Sequence, residues 1–207
     1  MNQVVDQAMQ RTKQYWYVDG LNEMSFGGIC LILAVFFFAS ALLTEGSPLA
    51  EFLNMLFVLV LVGSGLLASR VVNFIKMRLT YPRTGFVTYR QATRSHRLVL
   101  AGVALLTSSL LASMLAASSR SLAWMPTITG LLMGAVWLLM GFRIGLVRFY
   151  LLALSSILIG SGVSIAGLEN ILGLAMYYSL MGLAMFLSGG LTLRRYLRHT
   201  HPIEIAK

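Results

Sequence analysis

The chain has 207 residues, 57% of them hydrophobic and only 11% charged, with a mean hydropathy of +0.79. A soluble domain carries roughly 25% charged residues, so this composition sets aside a water-soluble globule and points to one membrane domain. The net charge of +9 sets aside nucleic acid as well, because no nucleic-acid-binding motif accompanies it and the cytoplasmic loops of membrane proteins collect Lys and Arg anyway.

Residues 1–24 are polar and are expected to form an amphipathic segment lying at the membrane interface. Tyr15, Trp16 and Tyr17 are its candidate anchors, since aromatic rings settle at the headgroup level. Asp19 is placed to cap the first membrane helix, with Glu23 in the first turn, where the helix dipole favours a carboxylate. The first apolar block covers 25–43. It does not read as a cleaved leader, because residues 1–24 hold three acidic and two basic side chains and such leaders are positive. Cys30 lies inside this block and is the only cysteine, so no internal disulfide and no Cys/His metal spacing exists.

After a short loop the second span is expected over 52–75, with the helical pattern running on toward Leu79. Pro82 stops it, because the residue before a proline avoids the helical region. Tyr81-Pro82-Arg83-Thr84 suits a type I turn, followed by Gly85. The segment 76–97 reads as a cytoplasmic basic loop. Within it Arg78, Tyr81, Arg83, Arg90 and Arg94 are candidate contacts for lipid headgroups or a partner. Asp19 and Glu23 are the acids this stretch would pair with to form a cytoplasmic platform.

Four further spans are expected over 98–117, 122–142, 149–166 and 171–193, followed by a basic tail, 194–207. Each block is about the length that crosses a hydrocarbon core roughly 30 Å thick, and in lipid each must be a helix. Small residues mark the candidate packing faces: Gly130 with Gly134, Gly141 with Gly145, and Ser156 with Gly160. The expected fold is therefore an all-α six-helix membrane bundle. Six spans put both termini on one side. That side receives 15 of the 16 Lys and Arg, with Arg120 alone opposite, so both termini are expected in the cytoplasm.

The residues offer no catalytic cluster. No ionisable residue falls at mid-depth, where proton and ion pathways run, and His96, His199 and His201 all lie in cytoplasmic segments. Gly63-Ser64-Gly65 lacks the preceding Gly of an intramembrane protease turn. Asp19-Gly20 copies only the first two letters of the phosphatidyl-alcohol transferase motif. No catalytic residue, metal ligand or cofactor is expected.

Thr80-Tyr81-Pro82-Arg83-Thr84-Gly85-Phe86-Val87 resembles a loop of uncharacterised bacterial multi-pass membrane proteins. Tyr15-Trp16-Tyr17-Val18-Asp19-Gly20 looks like their N-terminal segment. The resemblance implies a bacterial inner (cytoplasmic) membrane location and carries no activity. The leading expectation is a non-enzymatic accessory or partner-binding subunit. Its partners would be anionic phospholipids and another protein or a second copy. The alternative is the substrate-binding membrane component of a small-molecule transporter, similar to those of energy-coupling-factor importers. An uncharged or hydrophobic ligand would then sit near Ser108, Thr129, Ser156 and Tyr178.

Overall fold

The computed structural model describes residues 17–43, 47–80, 124–168 and 170–199. These residues form helices and the turns between them, with no strand among them. The helices are α1 (Leu21–Leu42), α2 (Pro48–Ile75), α3 (Met125–Ile144), α4 (Val147–Ile165) and α5 (Asn170–His199). A π-helical turn, Lys76–Thr80, continues α2. The expected span 98–117 lies outside the described residues, as do Tyr15, Trp16, Tyr81, Arg83, Arg90, Arg94 and Ser108.

Among the described residues, four segments are long and apolar enough to cross a membrane: Leu21–Leu42, Met125–Ile144, Val147–Ile165 and Ile171–His199. Their outward positions carry large apolar side chains, among them Val35, Leu139, Leu154 and Leu187. In water that surface would be costly; in lipid it is the solvated face. The chain is thus a helical, multi-pass membrane protein.

Local chemistry sets the helix ends. Pro126 sits in the first turn of α3, where its missing N–H costs nothing. Gly145 ends that helix at φ 74, and its N–H returns to the Gly141 carbonyl at 2.7 Å. The left-handed turn needs a residue without a Cβ. This corrects one expectation: Gly145 turns the chain into α4 rather than pairing with Gly141 on a packing face. Gly141 does face α4, where an added Cβ would stand 3.1 Å from the Tyr150 ring. The last helix also runs on into the basic tail, as far as His199. A second correction concerns Asp19: the capping position is Gly20, and Asp19 Oδ1 accepts the Leu21 N–H at 3.3 Å.

Two close helix pairs build the bundle. In the first, α1 runs antiparallel to α5. Gly20 meets Gly189 and Gly27 meets Gly182, so closely that a Cβ on Gly189 would lie 2.7 Å from the Gly20 carbonyl. The contact points are seven residues apart on each helix, two turns, and so stay on one face. In the second pair, α3 packs antiparallel on α4 through Gly130, Gly134 and Gly160, as the small-residue pattern predicts. A Cβ on Gly130 would stand 2.7 Å from the Ser156 carbonyl. Between the pairs lies the core of Cys30, Trp137, Phe149, Tyr177, Met181 and Met185. Ser156 is fully buried there. Its Oγ donates to the Gly130 carbonyl at 2.9 Å and lies 2.8 Å from the Tyr177 hydroxyl. The remaining helix, α2, lies along α1, with Phe57 against Phe36 and Phe37.

Candidate functional site

Two carboxylates enter the bundle at the N-terminal end of α1. Asp19 lies in the turn before α1 and Glu23 in its first turn, and both side chains are turned inward. Both are 1% exposed. A buried charge is tolerated only where it is matched, and each acid has its own cation. Asp19 Oδ2 lies 3.4 Å from Lys76 Nζ, at the start of the π-turn. Glu23 Oε1 lies 2.7 Å from Arg148 Nε, in the first turn of α4. That N–H does not point along the contact, so it is a charge contact rather than a directed hydrogen bond. Arg148 also donates from its terminal nitrogen to the Tyr17 carbonyl. Ser188 of α5 donates to Glu23 Oε2 at 3.2 Å.

This latch joins four helices at one end of the bundle. Burial outweighs the pairing in its electrostatics. Desolvation pushes the Asp19 carboxyl above its ordinary range, and Lys76 only partly offsets it. Desolvation likewise pulls the Lys76 ammonium below its ordinary range, against the pull of Asp19. Aromatic rings cover the latch: Tyr17 stands edge-on to Phe149 at 5.8 Å, and Trp137 stacks on Phe149 at 5.6 Å.

Asp19 thus pairs with Lys76, at the start of the basic stretch 76–97, whereas Glu23 pairs with Arg148, outside that stretch. A signal for Lys76 was present, since the helical pattern of α2 runs on past it. Tyr17 packs on the bundle end and is half-buried. Arg78 is exposed, its guanidinium 4.5 Å over the Phe74 ring. Thr129 is buried, and Tyr178 stacks on Phe37.

Beside the latch, a cleft of about 580 Å³ opens between α1, α2 and α3. Phe26, Trp137, Asn22, Asn73 and Glu23 line it. Among the described residues no group of three or more His, Cys, Asp or Glu gathers as metal ligands would. Comparison with family models, curated proteins and solved structures finds no match. What the fold defines is the class alone, a helical membrane protein closed at one end by buried ion pairs.

Proposed function

We propose that the chain is a six-span, non-enzymatic membrane subunit with both termini in the cytoplasm, acting by association with another membrane protein or a second copy. Two facts support six spans. The latch gathers the C-terminal end of α2 with the N-terminal end of α4, whereas Pro126 at the start of α3 lies against Gly160 and Gly173 at the opposite end. A crossing between Thr80 and Met125 accounts for this, and the apolar block 98–117 has the length for it. Orientation rests on the 15 of 16 cations that six spans put on one side. The bacterial inner membrane is the location that the Tyr81–Gly85 turn and its resemblance suggest.

The observation that carries the association reading is the surface of α2. This helix packs chiefly against α1. Among the described residues, Leu59, Leu66 and Leu67 face outward, and a Cβ added at Gly63 or Gly65 would meet nothing within 4 Å. Between helices in lipid the hydrophobic drive vanishes and close backbone approach takes over, so unfilled small residues on a peripheral helix suit a further helix. The test is Leu66→Cys in a Cys30→Ser background, cross-linked in native membranes. A discrete adduct with one membrane protein or a second copy is expected; a chain that stays monomeric in both membranes and mild detergent overturns the reading. The cleft beside Trp137 favours one second reading, a transport component taking an uncharged or hydrophobic ligand. Solute uptake by proteoliposomes holding this chain would select it.

A further inference from the structure

A second cavity lies on the other side of the latch, between the start of α4 and the last turns of α5. Its volume is about 690 Å³. Its lining divides by chemistry. Arg148, Arg195 and His199 supply cationic or proton-bearing nitrogen, and Tyr196 adds a phenol. Val18, Val147 and Leu191 line it too, and they are 41%, 73% and 58% exposed. Among the described residues, none that lines it is acidic. The start of α4 also borders the groove, and Leu146 caps it with no side-chain hydrogen bond. The first amides of a helix carry partial positive charge and favour an anion. Arg148 spends its charge on Glu23, so Arg195 is the principal cation left for a ligand.

We propose that this groove binds an anionic phospholipid. Its phosphate would meet Arg195, His199 and the first turn of α4. An acyl chain would lie along Val18, Val147 and Leu191. A free phosphate would leave that apolar wall unused, and a purely apolar ligand would leave Arg195 unmatched. The site lies at the end of membrane-spanning α4 and α5, the depth at which headgroup gives way to hydrocarbon. The inference rests on membrane embedding and is independent of the subunit role, so failed cross-linking at α2 leaves it standing.

The test compares the purified chain in nanodiscs of dioleoylphosphatidylcholine doped with dioleoylphosphatidylglycerol, read by native mass spectrometry. Retention of phosphatidylglycerol over phosphatidylcholine is expected. Arg195→Gln should weaken it about fivefold, from about 1 kcal/mol per basic residue near the surface, and Arg195→Gln/His199→Gln should weaken it further. Arg194→Gln/Arg198→Gln removes two exposed cations of the same helix that do not line the groove. It should leave retention within twofold. Equal losses from both double variants would mean diffuse surface charge and would overturn the site. Inorganic phosphate that displaces the lipid at millimolar concentration would also overturn it. Circular dichroism and melting of each variant should match the parent, since all four residues are exposed.

Discussion

Replacing Lys76 with Met should cost more than any surface charge change in this protein. The ammonium is 3.4 Å from Asp19 Oδ2, with the two side chains 3% and 1% exposed. At that separation, with an effective dielectric of about 20, the attraction is about 5 kcal/mol. Desolvation opposes it, but removing one partner leaves the other charge buried and unmatched, which costs about 3–5 kcal/mol. Melting of the detergent-solubilised chain should fall by roughly 10 °C, taking 2–4 °C per kcal/mol at this size. Asp19→Asn should cost less, because it leaves a neutral amide beside the cation. Asp19→Asn/Lys76→Met should recover at least about 2 kcal/mol relative to the sum of the single changes, as coupled sites do. If Lys76→Met stayed within about 1 kcal/mol of the parent and the cycle were additive, the buried pair would not be holding α2.

Three further outcomes follow from the same contacts. The Asp19 carboxyl sits above its ordinary value of 3.8, so the folded state holds the extra proton just above that pH and stability should fall as pH rises through the window. Lys76 sits below its ordinary 10.5, so the unfolded state holds the extra proton just below that pH and stability should rise as pH climbs there; urea titrations of the Asp19→Asn/Lys76→Met variant should lose both slopes. Gly189→Val should destabilise by about 1–3 kcal/mol through overpacking, because its Cβ would enter the Gly20 carbonyl and Met24 backbone at 2.7 Å. Gly190→Ala, where the space is open, should be neutral or stabilising by about 0.5–1 kcal/mol; equal effects from the two glycines would show that α1 does not approach α5 as described. Ser156→Ala should cost about 1–3 kcal/mol by stranding the buried Tyr177 hydroxyl, while Tyr177→Phe should cost less because Ser156 keeps the Gly130 carbonyl. Thermal melts of the pair rank them, and the reverse order would contradict that geometry.

The apolar blocks were legible because lipid permits only helices across its core, and hydropathy alone then places α1, α3, α4 and α5. Their ends were less so. The apolar blocks 25–43 and 171–193 are shorter than their helices, which start at Leu21 and run to His199, since polar residues continue a helix beyond the hydrocarbon without penalty. Gly145 was read as a packing residue because its spacing from Gly141 fits a packing face, whereas its backbone caps α3. The four-residue glycine spacing exposed the α3–α4 contact. It missed Gly20, Gly27, Gly182 and Gly189, whose spacing is seven. The latch was half visible. Asp19 and Glu23 stood out as acids at the start of α1, but their partners lie 57 and 125 residues away in sequence, where only the folded chain brings them near.

The position of α1 explains why so much converges on it. Three connections leave its N-terminal end: Lys76 of α2 through Asp19, Arg148 of α4 through Glu23, and Ser188 of α5 through the other Glu23 oxygen. Between helices in lipid, steric fit and polar contacts must supply the specificity that water exclusion supplies elsewhere. The α1–α5 and α3–α4 pairs have both, since glycines bring their backbones together as well. Among the described residues, a Cβ added at Gly63 or Gly65 of α2 would meet nothing within 4 Å. Besides buried Ser64 and Val72, its contacts include the Phe57 ring against Phe36 and the Lys76 ion pair at the other end. Of the described helices, α2 therefore depends most on an ion pair. Loss of charge at Asp19 or Lys76 should free its latch end while the glycine-packed pairs hold.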